Sequence, residues 1–484
     1  MNARVEGVAG RTAPSMRRWI VGMWGIAIAG MLLASPVAAE ETEKPNDTVA
    51  AAATESAPVE TNLVAPVLLP RTQGQAVEVA SYRPRDIQGL NVFEPAKTNN
   101  EKFNGKQIIW GFGFAQQFQG LHHQNSALPK MTTVSGVTVN SNQLMEIGYG
   151  FNNASANLYL DAQLARGIRV ALTSYLSSRH HQEAWVKDGF LLIDASPIDQ
   201  ELLNRIMEKV TLRVGHFEIN YGDAHFRRSD NGNAFYNPFV GNLLMDAFTT
   251  EIGAEAYVRS NGLLAMAGVT GGEVKGQVQK PQERSPSYLA KLGYDHEFAP
   301  RTRVRLTGSF YTNKKSVSNT LYSGSRAGSR YYSVVENAQS TETAQAWSGD
   351  VQPGFKNKVT AFVVNPFVKV QGFEFFGNLE QASGKATAEK VHRVWTQYAG
   401  EGLYRFLGDQ LYVGGRYNLA KGALAGMTGD VKVERIQTGG GWFVTSNVLA
   451  KAEFVRENYM KFPANDIRSG ANFNGFMIEG VVTF

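Results

Sequence analysis

The stretch Asn153-Ala-Ser-Ala-Asn-Leu-Tyr-Leu-Asp-Ala-Gln-Leu-Ala-Arg-Gly-Ile-Arg-Val-Ala-Leu-Thr-Ser-Tyr-Leu-Ser177 decides the fold. Counted in twos, Ala154, Ala156, Leu158, Leu160, Ala162 and Leu164 fall on one side. Asn153, Ser155, Asn157, Asp161 and Gln163 fall on the other. After Ala165-Arg166-Gly167, the residues Ile168, Val170, Leu172 and Leu176 alternate with Arg169, Ala171, Thr173 and Tyr175. Successive side chains of a strand point to opposite faces, so each half reads as a strand with one apolar and one polar face.

The same period recurs on both sides of this hairpin. In Ile109–Phe118, Trp110, Phe112, Phe114 and Phe118 share a face opposite Gly111, Gly113, Ala115 and Gln117. Asn261-Gly262 is a two-residue hairpin turn joining Thr250–Ser260 to Leu263–Gly271. At the end of the chain Phe476, Ile478, Gly480, Val482 and Phe484 alternate with Met477, Glu479, Val481 and Thr483. About 16 such segments fill residues 107–484. Two of them, 357–364 and 367–381, read as joined by a tight turn at Asn365-Pro366. All prolines after position 106 then fall in connections or at a strand's first residue, as paired strands require.

The connections alternate in length. Short ones lie at 165–167, 261–262, 296–300, 365–366, 407–410 and 445–447; long ones lie at 119–152, 220–249, 272–285, 313–356 and 459–471. Connection 195–208, on the short side, carries a helical pattern around Ile198–Met207. Lipid offers no hydrogen bonds to the backbone, so strands span a membrane only as a closed sheet. The pattern therefore predicts an all-β fold, a transmembrane antiparallel β-barrel of about 16 strands with short periplasmic turns and long extracellular loops. Trp110, Trp185, Trp395 and Trp442 lie near strand ends and are expected in the interfacial belts.

Residues ahead of the barrel read differently. Arg17 and Arg18 precede an apolar run from Trp19 to Leu33, followed by Val37-Ala38-Ala39, so residues 1–39 read as an export signal cleaved after Ala39. Met16 is an alternative start. The signal holds four arginines and one glutamate, so its removal lowers the formal charge from +5 to +2. That balance forces no nucleic-acid partner. Residues 40–106 open with an Ala/Thr/Glu/Pro-rich run and read as a flexible periplasmic segment. With no cysteine, disulfide frameworks, thiolate metal sites and cysteine nucleophiles are all excluded.

Several motifs carry a family resemblance. The segment Arg213-Val-Gly-His-Phe-Glu-Ile-Asn-Tyr-Gly-Asp-Ala-His-Phe-Arg-Arg228 with Tyr236-Asn-Pro-Phe-Val240 is similar to porin-type barrels. So are Asn365-Pro-Phe-Val368, Gly372-Phe-Glu-Phe-Phe-Gly377 and Asn447-Val-Leu-Ala-Lys-Ala-Glu-Phe454. Over roughly 107–484 the chain resembles outer-membrane proteins of the phosphate-selective porin O and P type. The resemblance implies a channel in the outer membrane, passing small hydrophilic solutes or anions, often as a trimer. Phe484 closing an alternating strand resembles the C-terminal signature read by the barrel assembly machinery.

A barrel of this size is wide enough for water. The alternation points Arg169, Arg213, Arg259, Lys291, Arg303, Arg305, Arg405, Arg416 and Lys451 into the lumen. Opposing them are Asp161, Glu251, Glu255, Glu374, Glu380, Glu401, Glu453 and Glu479, a near balance that suggests mild anion preference. Loop 220–248 carries Asp223, His225, Arg227, Arg228 and Asp230 and is expected to fold inward as a constriction. His122, His123, His180 and His181 form a weaker candidate for a metal site. No cofactor is implied. No G-x-S-x-G elbow is present, and the chain does not read as an enzyme. The rival reading is a plugged barrel acting as receptor, adhesin or structural protein through its long loops, chiefly 313–356.

Overall fold

A computed structural model describes residues 79, 81–95, 97, 103 and 105–484, apart from 178–183, 275–277, 325–330 and 342–346. The expected signal, residues 1–39, lies outside the described residues. Sixteen antiparallel strands close into one barrel. They are β1 Gln107–Gln124, β2 Ser155–Ala165, β3 Ile168–Ser177, β4 Ala184–Ile193, β5 Val210–Glu218 and β6 Thr250–Ser260. Next come β7 Leu263–Thr270, β8 Ser287–Ala299, β9 Thr302–Asn313, β10 Lys358–Val370 and β11 Phe373–Lys385. The last are β12 Arg393–Phe406, β13 Leu411–Ala423, β14 Asp430–Phe443, β15 Val448–Met460 and β16 Asn472–Thr483. A two-residue piece, Gly150–Phe151, continues β2 toward the long-loop end and also pairs with β1.

Each strand pairs with its neighbours in sequence, and β1 closes the ring on β16 from Gly113↔Thr483 to Gln124↔Asn472. Phe484 completes the seam: its N–H donates to Phe112 O at 3.0 Å, and its carbonyl accepts from Phe112 N–H at 2.9 Å. The ring is continuous, although β4 meets β5 only from Gly189↔His216 to Ile193↔Leu212.

Burial runs opposite to that of a soluble protein. On β9, Leu306 is 52% exposed while its neighbours Arg305 and Thr307 are 2% exposed. Across the wall the outward row is mostly apolar and faces lipid, while the inward row mixes polar and charged groups with buried apolar ones such as Val359, Val363, Val433 and Met477. Trp110, Trp185 and Trp442 lie on the outward row. Trp395 does not belong with them. Odd positions of β12 face inward, so its ring is buried and its indole N–H donates to Ala423 O at 3.0 Å.

The Asn365-Pro366 turn is also corrected. Strand β10 runs straight through it, and the chain reverses at Gln371-Gly372, where Gln371 takes a positive φ of 53°. Proline has no N–H for the ladder, and the register with β11 lapses between Val364↔Leu379 and Phe367↔Phe376. The Asn365 side chain takes over, its Nδ2 donating to the Gly377 carbonyl at 3.0 Å. An Asn-Pro dipeptide ordinarily signals a turn; here the asparagine repairs the gap that the proline makes. The 195–208 connection contains a helix, but a shorter one than expected, Glu201–Met207.

Asn365→Ala should cost about 1–3 kcal/mol by leaving a buried carbonyl unpaired. Urea unfolding of the barrel refolded in lipid vesicles measures it. Adding Pro366→Ala returns an N–H opposite Gly377 and should recover part of the loss; no recovery would refute this account of the strand.

Candidate functional site

Between β5 and β6 the chain turns into the barrel. Gly222, at φ 72°, makes the bend close against Val363 and Asn365 of the far wall. Residues 219–249 then cross the lumen, and wall side chains bind their backbone. Glu453 accepts from Val240 N–H at 2.7 Å, Asn418 from Leu244 N–H at 2.6 Å and Gln397 from Met245 N–H at 2.6 Å. Arg416 donates to Gly241 O at 2.8 Å, and Lys451 donates to Ala234 O at 2.9 Å. A loop inside a barrel must satisfy its own peptide groups, and β12 to β15 supply those partners.

The loop's charges answer the wall's. Asp223, fully buried, accepts from Arg305 Nε and Nη2, both at 2.8 Å, and pairs with Lys291 at 2.7 Å. Arg227 pairs with Glu401 at 2.5 Å, and Arg416 meets the same carboxylate from the other side at 2.5 Å. Arg228 makes a two-point contact with Asp246 at 2.8 and 2.7 Å. Asp230 pairs with Lys187, and His225 Nε2 lies 3.1 Å from Asn220 Oδ1. Burying a lone charge costs several kcal/mol, so each of these groups is held by an opposite one.

The predicted residues do not form one cluster. Asp223, Arg305 and Arg303 gather at β8–β9, where Arg303 pairs with Asp295 at 2.5 Å. Arg213, paired with Glu255, and Arg259 line the neighbouring space along β5–β6 with His225, while Arg227, Arg228 and Asp230 are held by Glu401, Asp246 and Lys187. Of the histidine candidates, His122 and His123 are each bonded elsewhere. His122 Nε2 lies 3.0 Å from Tyr149 Oη, and both ring nitrogens of His123 are taken by backbone, Met145 O at 2.7 Å and Val335 N–H at 2.9 Å. His180 and His181 lie outside the described residues. No metal-binding cluster is found among the described residues.

Composition places residues 81–95 in the flexible segment, yet they pack inside the barrel at the periplasmic end. Arg85 pairs with Asp161 at 2.6 Å, and Glu94 pairs with Lys291 at 2.9 Å and Arg305 at 2.7 Å. Arg227 and Glu374 both bond Asn91, and Ile87 N–H donates to Ser446 O of a periplasmic turn at 2.9 Å. Sequence reasoning missed these residues. The signal available was local: the aromatic and arginine-bearing run Tyr82-Arg-Pro-Arg-Asp-Ile-Gln-Gly-Leu-Asn-Val-Phe93 differs from the Ala/Thr/Pro tract before it.

At the outer end, loop 314–357 folds over loop 219–249 and is not wholly displayed. Tyr331 bonds Glu453, Val351 N–H donates to Leu244 O at 2.8 Å, and Val334 is fully buried. Between the N-terminal segment, loop 219–249 and the wall of β2 to β6 lies a cavity of about 240 Å³.

The chain is a closed antiparallel β-barrel whose exposed outer row carries apolar side chains. No family model matches it, and no curated protein sequence does. Solved structures similar to it are of low identity. It is 12% identical to an anion-selective porin from Comamonas acidovorans, covering 78% of this chain and 100% of that one, with a TM-score of 0.49. An OmpT loop-deletion mutant of Vibrio cholerae is 12% identical over 79% of this chain and 100% of its own, with a TM-score of 0.47. The outer membrane channel DcaP of Acinetobacter baumannii is 10% identical over 79% and 99%, with a TM-score of 0.46.

Asp223→Asn should leave Lys291 to Glu94, and Arg305 to Glu94 and Asp295, and weaken loop docking by about 1.5–3 kcal/mol, the worth of a charged hydrogen bond. Hydrogen exchange across Tyr221–Asp230 should quicken accordingly, and unchanged protection would contradict the pairing. In the outer loop, burial raises the Glu336 carboxyl to about 8, helped by the like charge of Asp350 and opposed by the Ser340 hydroxyl. Its contribution to packing is thus fully present below its ordinary value of 4.5 and is lost as pH rises through 8. Protease cleavage within 331–357 should increase between pH 6 and pH 9, and Glu336→Gln should remove that dependence.

Proposed function

We propose that the chain is a porin that passes small hydrophilic solutes through a path narrowed by loop 219–249. One observation carries this reading. The loop is bonded to β12–β15, to β8–β9 and at single points to β4 and β6, and it borders a space of about 240 Å³ along β2–β6. A loop held this way narrows a channel without filling it evenly. The arginines beside this space support a mild anion preference. Elsewhere the lumen's cations are matched by carboxylates, so the reading stops short of phosphate selectivity. A trimer remains an expectation from the family resemblance, tested by cross-linking in the native membrane.

A second reading has its own support. Residues 81–95 and the inward part of loop 314–357 occupy both ends of the lumen, as they would in a plugged barrel acting through its outer surface. Planar bilayers separate the two. Open-channel steps with a reversal potential shifted toward chloride support the porin, and a silent protein supports the plug. Deleting 226–235 should raise single-channel conductance; equal conductance would exclude the loop as the constriction.

A further inference from the structure

The 240 Å³ cavity has the lining of a ligand site. At about 30 Å³ per water it has room for roughly eight waters or one small solute. Five arginines line it: Arg83 and Arg85 from the N-terminal segment, and Arg169, Arg213 and Arg259 from the wall.

Their partners do not use them up. Asp161 answers both Arg85 and Arg169, and Glu255 answers Arg213. Arg83 bonds only the carbonyls of Gly89 and Phe226, and Arg259 that of Pro95. Among the described residues neither forms a direct ion pair. Glu94, the acidic group beside them, is held by Lys291 and Arg305. The Nε atoms of Arg169 and Arg259 are buried with no hydrogen-bond partner, and Arg169 is only 7% exposed. A buried guanidinium N–H without an acceptor is costly, and an incoming anion would supply one.

Aromatic rings hold these cations in place. The Arg83 guanidinium carbon lies 3.8 Å from the Tyr236 ring centre, Arg85 4.0 Å from Tyr159, and Arg259 5.4 Å from Tyr257. Arg213 lies 5.4 Å from Phe190. A ring beside a guanidinium steadies it, and the N–H groups not spent on carbonyls or carboxylates stay available to an incoming carboxylate. The rings and Leu192 also give the cavity apolar wall, which a bare inorganic anion would leave uncovered. Asp188 faces the same space with Oδ1 unpartnered and can accept a hydrogen bond from the solute.

We propose that this cavity binds a small organic carboxylate with an apolar body and a hydrogen-bond donor, and that Arg83 and Arg85 make the N-terminal segment part of the site. The proposal rests on the porin reading only in that the solute must reach the lumen.

The test uses the full-length protein purified in detergent and the probe 4-hydroxybenzoate, with inorganic phosphate and benzyl alcohol as comparators. Titration calorimetry should show binding of the probe and much weaker binding of both comparators. Arg83→Gln and Arg259→Gln should each weaken it about tenfold, the loss expected for one charge-assisted hydrogen bond. Arg83→Lys should retain more binding than Arg83→Gln, and each variant is checked for the heat-modifiable gel mobility of a folded barrel. Unchanged affinity in folded Arg83→Gln and Arg259→Gln would overturn the proposal, as would phosphate binding tighter than the probe. Binding by a protein silent in bilayers would sustain the site and remove the porin reading.

Discussion

In a bilayer a backbone N–H has no partner except another strand, and the rest of this molecule depends on that constraint. It demands a ring, and the ring must close on itself. Closure divides every strand into an outward row facing lipid and an inward row facing the lumen. Polar side chains that a soluble sheet would show to water are then gathered in the middle. Arg305 and Leu306 are adjacent in sequence, yet one is sealed among charges and the other lies against hydrocarbon.

Gathering the charges creates a second demand. In a confined lumen, unpaired carboxylates and guanidinium groups lose hydration without compensation. The inserted pieces bring what the wall lacks. Asp223 and Glu94 sit between Lys291 and Arg305, and Arg227 shares Glu401 with Arg416. The loop and the N-terminal segment thus fold inward because their charges complete a network that neither the wall nor the insert could complete alone. Specificity of position comes with it, since each two-point arginine–carboxylate contact fixes an orientation as well as a distance.

Much of this was legible from period and parity. Alternation along Asn153–Ser177 and Ile109–Phe118 depends only on which face meets lipid, and that rule is local. Lumen residues such as Arg169, Glu401 and Arg416 followed from the same count. The failures have local causes too. Trp395 was placed by its nearness to a strand end when parity sends it inward. Pro366 was read as a breaker because the repair by Asn365 depends on Gly377 across the strand pair. Residues 81–95 escaped because what orders them, Asp161, Glu374 and Lys291, lies far away in the chain and carries no periodic signature.

The seam between β1 and β16 has a temporal consequence. Gln117 and Glu479, hydrogen-bonded across it, are 362 residues apart in the chain. Entropy of closing so long a span rises only slowly with length, but contacts this distant form late. The hoop is fastened by its final residues, after every other stave has been laid. Residues 81–95 directly precede the first stave and end up within the hoop. They must be seated before it shuts or threaded through its periplasmic mouth afterwards, so the order of assembly is written into which ends of the chain meet.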